Sequence, residues 1–280
     1  MASKYQVKSY GIQGIKYVTL LAATFATLIP LVVVLFAAFK SNEEYLSTSP
    51  LAPPQNWLNF ENFKTAFLKG NMAVGFKNTI IIVTITLFLA IIVGTAVAYA
   101  LNRFEFRGKK IVMGLYLVAT LIPTVTTQVA TFQIINKLGL FNTMIAPVVL
   151  GIGADVMMIY IYMQFLNNIS KELDEAAMIE GASYFTIYTK IILPLLKPAI
   201  ATGIIMKGVA MYNDFYTPYL YMPKQELNVI STALYKFKGP FGAQWEVIAA
   251  GVVIVLIPTL LLFLFLQKHI YSGITAGSVK

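Results

Sequence analysis

Few side chains in this sequence could do chemistry, and their kinds decide which chemistry is open. There is no cysteine and one histidine, His269, beside Lys268 near the end of the chain. Without cysteine there is neither a disulfide framework nor a thiol metal site. One histidine leaves zinc catalysis and a Ser–His–Asp triad without their parts. His269 reads as an interfacial residue, and no catalytic or metal-binding set is expected. The nearest approach to a phosphate loop is Gly108-Lys109-Lys110, where Arg103 holds the earlier glycine position and no Ser or Thr follows Lys109. No cofactor is expected on this chain, so any energy source is a partner or an ion gradient.

What remains is polar groups inside apolar runs. Burying them in lipid is costly, so they are expected to face an interior. Asp155, Lys207 and Asp214 are the ionisable ones. Asp155 and Lys207 each sit about ten residues from the inner end of their run, hence about 15 Å deep. They can form an intramembrane ion pair, with a structural rather than a substrate-binding role. Thr120, Thr124, Thr127 and Thr131 recur at helical spacing with Gln128 alongside, one face of a helix that either lines a pathway or bonds its own backbone. Asn213 and Asp214 are further candidates for pathway lining.

The elements that must hold these groups are membrane helices. Of 280 residues, 58% are hydrophobic and 12% charged, and the mean hydropathy is +0.73. That is an integral membrane protein, all-α and polytopic. Six apolar spans are expected at about 17–39, 78–101, 111–132, 145–165, 198–220 and 247–266, the first interrupted by Pro30 and the third bent by Pro123, in one transmembrane domain covering 1–280. A cleavable signal peptide would have a shorter apolar core than the first run. In the loop after it, Asn59 can cap a short helix with Phe60, Phe63 and Phe67 on one face, a pattern of packing or of an interfacial helix. The net charge of +9 comes from residues scattered through short loops, not from a basic face that would suit nucleic acid. Twelve Lys and Arg fall on the side of both termini and eight on the other, which places both termini in the cytoplasm.

One polar passage, 166–197, separates the fourth and fifth runs. Ser170 can cap a helix whose first turns carry Glu172, Asp174 and Glu175, where negative charge suits the helix N-terminus. Gly181 can end it in a left-handed turn, and Ser183 can cap a second helix closed by Pro194. Ala176, Ala177 and Gly181 leave the backbone open to close approach.

Glu175-Ala176-Ala177, Gly181, Ile191 and Leu193-Pro194 fill the spacing of the EAA motif, and in that position they resemble the coupling loop of bacterial ABC-importer permeases. Tyr212-Asn213-Asp214-Phe215 is similar to the fifth-span signature of sugar-type members, with Tyr212 in place of the commoner tryptophan. The ending from Gly273 to Lys280 looks like theirs as well, with Ile274 in place of leucine. The chain is thus identified with the carbohydrate-uptake branch, the maltose-permease group. The resemblance implies a permease in the bacterial cytoplasmic membrane that performs no bond-making chemistry. It also implies a second homologous permease, an extracytoplasmic sugar-binding protein and two cytoplasmic ATPase subunits that bind ATP and Mg. Coupling to the ATPase would fall to Asp174, Glu175, Ala176, Ala177, Gly181, Ala182, Leu193 and Pro194. A permease for a peptide or amino acid would share the loop but fits the other two signatures less well. A gradient-driven transporter would show paired repeats of broken helices, and a membrane enzyme would need clustered catalytic groups; neither pattern is present in the sequence.

Overall fold

The computed structural model describes residues 2–153, 155–239 and 242–276; towards the two ends, side chains are described only at 13, at 15–261 and at 264. The His269 side chain and the ending at Gly273–Lys280 lie outside the described side chains.

In chain order the helices are α1 (Ala2–Phe39), α2 (Asn42–Ser47), α3 (Glu61–Lys69), α4 (Met72–Arg103), α5 (Lys109–Leu121), α6 (Thr124–Lys137), α7 (Ile145–Ile152), α8 (Val156–Leu166), α9 (Glu172–Ile179), α10 (Tyr184–Ile187), α11 (Leu193–Leu195), α12 (Lys197–Asn213), α13 (Tyr216–Tyr221) and α14 (Trp245–Ala276). A π-turn, Tyr188–Ile192, joins α10 to α11. Helices dominate because apolar backbone in lipid must bond to itself. Among the described residues, two runs, Ile15–Phe39 and Met72–Arg103, are long and apolar enough to cross a membrane unbroken; three bent pairs raise that to five if each is one span. The stretch Trp245–Leu261 of α14 is apolar but shorter.

Several boundaries differ from those expected. Helix α1 takes in the segment read as a polar tail and runs on through Pro30. The stretch expected as the third span is broken rather than bent: α5 and α6 meet at 103°. Pro123 carries the break, because the residue before a proline is driven out of the helical region, and Ile122 is extended at φ −80°, ψ 115°. The fourth bends by 44° between α7 and α8, and the Tyr184–Leu195 helix meets α12 at 71°. The fifth span stops at Asn213, where Asp214 turns extended. Pro194 does not close the helix capped by Ser183, which continues to Leu195. The preceding π-turn has already shifted the bonding register, so the missing N–H of a proline is tolerated there.

The chain divides into two compact units. The first comprises 1–71 and 234–259. Ala37 and Ala38 meet Ala249 and Ala250 with Phe63 packed beside them, small residues that let the backbones close up. Lys40 is 1% exposed; its Nζ donates to Thr48 Oγ1 and to the Ser49 carbonyl, both at 2.9 Å. In the aromatic stripe, Phe63 and Phe60 both pack on Phe39, with ring centroids 4.9 and 5.7 Å away, while Phe60 keeps an exposed edge and Phe67 is exposed. Phe60, not Asn59, occupies the cap position. Asn59 instead ties two segments, accepting from Glu61 N and donating to the Phe39 carbonyl.

The second unit comprises 72–233 and 260–280. Its spine is α4, which packs on α7, α8 and α12. Tyr162 of α8 is fully buried between Gly94 and Gly203, and a Cβ on Gly203 would sit 2.7 Å from its hydroxyl. Those two glycines let α4 and α12 close onto one tyrosine. At the far end of α4, Asn78 Nδ2 donates to the carbonyls of Glu226 and Asn228, and Thr79 Oγ1 accepts from Ile230 N at 3.0 Å.

Candidate functional site

Two places in the second unit gather the polar residues singled out above. The first is the passage between α8 and α12. Ser170 Oγ accepts from Glu172 N, although Lys171 holds the cap position. At the other end Gly181 takes φ +85°. Its N–H reaches the Met178 carbonyl while Ala182 N reaches that of Ala177, the paired bonds of a Schellman turn. Among the described residues, and its chain neighbours aside, nothing lies within 4 Å of a Cβ placed on Gly181. Ser183 Oγ then accepts from Thr186 N at 3.2 Å and opens the next helix.

Helix α9 thereby acquires two faces. Glu175, Ala176, Glu180 and Gly181 point out, joined by Ile179 at 88% and Phe185 at 74% exposure. These apolar side chains, with acidic neighbours, leave a partly apolar face uncovered in this chain. Asp174 and Ala177, expected among the coupling residues, point in. Ala177 joins the core beneath α4. Asp174 Oδ2 lies 2.9 Å from Arg103 Nε in an ion pair almost wholly shut from solvent. Its acidic side chain at this turn is explained by Arg103, not by the helix N-terminus alone. Ala182 and Leu193 are half-buried and Pro194 is exposed. Close by, the hydrogen bond from Lys109 holds the exposed Glu105 carboxyl below its usual range, with the Lys109 charge adding to the effect.

The second place is a cavity of about 550 Å³, lined by Asp155, Lys207 and Asp214 with Met157, Met206 and Met211 among its walls. It lies beside two helix interruptions. Asp155 caps α8, its Oδ1 accepting from Met158 N, while its Oδ2 is 3.2 Å from Lys207 Nζ. The Lys207 side chain is 11% exposed and that of Asp155 34%. Asp214 ends α12; its Oδ1 accepts from Thr217 N at 3.1 Å and its carbonyl accepts from Ser231 Oγ at 2.7 Å. An ion pair and a further carboxylate, among thioether walls, give the cavity hydrogen-bonding groups of either sign. Asn213 does not line this cavity; its amide donates to the Val209 carbonyl.

The threonines do not form one face. Thr120 belongs to α5, across the 103° break from the others. Thr124, Thr127, Gln128 and Thr131 still share a face of α6. Thr120, Thr127 and Thr131 each bond a carbonyl of their own helix. Among the described residues, no three His, Cys, Asp or Glu side chains gather to hold a metal. Nothing local to Arg103 in the sequence marks it as a buried partner, because Asp174 lies far along the chain. The lining methionines come from two separate stretches, 157–158 and 206–211, and only the fold brings them to one cavity.

Known proteins resemble this chain along most of its length. A permease for melibiose, raffinose and stachyose import from Bacillus subtilis is 31% identical over 96% of this chain and 98% of its own. A trehalose/maltose permease from Thermococcus litoralis is 32% identical over 73% of this chain and 74% of its own. Among solved structures, a bacterial ABC transporter involved in alginate import matches with a TM-score of 0.78, covering 92% of this chain and 96% of that one. Identity there is 20%, so that likeness speaks for the fold alone. The model of binding-protein-dependent transport system inner membrane components matches residues 90–276, and the chain belongs to that family.

Proposed function

We propose that this chain is a permease subunit of an ATP-driven, binding-protein-dependent importer for a sugar or oligosaccharide. The carrying observation is the outward face of α9, ending at the left-handed Gly181, which offers a short, bare, partly apolar surface for an ATPase to grip. Relatives named for raffinose-type sugars, arabinooligosaccharides and diacetylchitobiose favour sugar over a peptide or amino acid. In this reading the chain crosses the cytoplasmic membrane six times, the broken pairs each counting as one span, with both termini inside. The EAA-type passage 166–197 is the coupling loop. A second permease completes the pathway, two ATPase subunits bind ATP and Mg, and an external binding protein delivers the sugar.

On this reading the chain makes and breaks no bonds. ATP-driven closure of the partners moves the loop, and the helices around the cavity rearrange so that it opens to one side at a time. Asp155, Lys207 and Asp214 supply hydrogen-bonding groups along the way, as does the Thr124 face of α6. The test is uptake into vesicles that carry the whole complex, with labelled mono-, di- and oligosaccharides and peptides offered in turn. ATP-dependent uptake of a sugar supports the proposal; uptake of peptides alone, or of nothing, overturns it.

A further inference from the structure

We infer that Arg103 is a positioning residue that grips the loop to α4, and that α4 carries the loop's movement to the outer segment beside the cavity. The inference rests on the importer reading above. At the inner end of α4, Arg103 uses three nitrogens. Nε lies 2.9 Å from Asp174 Oδ2, an ion pair by distance whose N–H is not aimed as a hydrogen bond; Nη2 donates to the Ile169 carbonyl at 2.9 Å and Nη1 donates to Asn102 Oδ1. Asn102 Nδ2 in turn donates to Asn167 Oδ1 at 2.6 Å. Asp174 Oδ1 has no hydrogen-bond partner among the described residues, so the buried carboxylate depends on Arg103. Tyr188 OH adds a bond to Thr95 Oγ1 at 2.8 Å, fastening the following helix to the same rod.

The outer end of α4 is fastened as firmly. Asn78 holds the Glu226 and Asn228 carbonyls with one amide nitrogen. Thr79 holds Ile230 N, and Ser231, the next residue, holds the Asp214 carbonyl. Asp214 lines the cavity. From Asn78 to Arg103 the helix is unbroken and contains no proline, a span of about 37 Å. A continuous helix clamped at both ends transmits displacement, whereas one merely packed against its neighbours can slide past them. The loop, the rod, the outer segment and the cavity wall are therefore in series.

Series connection has a signature that local support lacks. The experiment uses the assembled complex in lipid and compares Asn78→Ala, Arg103→Gln and the double variant. Retained ATPase, basal hydrolysis and hydrolysis with sugar-loaded binding protein are measured for each. Asn78→Ala is expected to keep ATPase attachment and basal hydrolysis yet to lower the stimulation by about fivefold or more, the lower range of coupling between sites. Arg103→Gln should do the same, and the double variant should be no worse than the weaker single, because a rod freed at one end transmits nothing. Independent sites that far apart would multiply their losses. Where Arg103→Gln releases the ATPase, Arg103→Lys takes its place in the cycle, keeping a charge for Asp174 while losing the fork to Ile169. Multiplied losses, or normal stimulation in Asn78→Ala, overturn the inference. An unmutated complex whose hydrolysis does not respond to sugar-loaded binding protein overturns the importer reading instead.

Discussion

At the scale of single residues, burial decides which changes matter. Lys207 is almost enclosed while Asp155 keeps a third of its side chain in the open cavity. Losing Asp155 therefore strands the more deeply buried charge. Asp155→Asn should reduce assembly more than Lys207→Gln, and the double change should recover part of the loss. Detergent-solubilised yield of the three variants checks this; additive losses would mean that the ion pair contributes nothing. Gly203→Ala puts a methyl group against the Tyr162 hydroxyl and 2.8 Å from Met158 Cε. Overpacking of this kind costs about 1–3 kcal/mol, so the thermal midpoint should fall, and Gly203→Ala with Tyr162→Phe should regain part of it. A midpoint equal to that of the unmodified protein would show that the two helices can part freely. The pairing of Asp155 with Lys207 could be anticipated from the sequence because similar residue counts from their helix ends put the two at similar heights. That the two bound a shared cavity with Asp214 could not, since the count says nothing of which faces meet.

At the scale of elements, the turn at Gly181 and the broken third span make separate predictions. Gly181 has free space around it, so a side chain there is resisted by the backbone angle and by whatever docks, not by the chain itself. Gly181→Asp should leave the complex folded but weaken ATPase co-purification, or abolish the hydrolysis stimulated by substrate. Gly181→Asn, which tolerates a left-handed backbone better, should retain more of both. If Gly181→Asp leaves attachment and uptake unchanged, α9 is only a connector. On α6, Thr127→Leu should lower uptake while Thr120→Leu on α5 should not, because the break at Pro123 sends the two residues to different surfaces. Equal effects would mean that the break does not persist in the assembled complex. The turn and the cap at Ser183 could be read from the sequence because both are local bargains between one side chain and its neighbouring backbone. The 103° break could not: Pro123 announces a kink, but its size depends on what the two halves pack against.

At the scale of the whole molecule, orientation follows from charge, and the absence of cysteine makes it simple to test. Single cysteines at Ser49 and at Glu105, both exposed, should label from outside and inside respectively. The reverse pattern would invert the proposed topology and move the α9 surface away from the ATPase. The membrane character and five of the six apolar stretches were legible because the cost of burying backbone in lipid imposes long runs. Less legible was the division into two units, because hydropathy sorts residues between lipid and water without saying which helices associate.

The methionine walls of the cavity have a further consequence. A thioether side chain turns about three bonds and deforms at little cost, so it moulds to what it meets instead of enforcing one outline. A passage walled this way is a poor judge of its cargo. On the proposed reading, discrimination among sugars is exercised before entry, by the delivering protein, and the permease is left indifferent to chain length. Supplied with a different delivering protein that still docks, the same chain should carry a different sugar without a change to its own sequence.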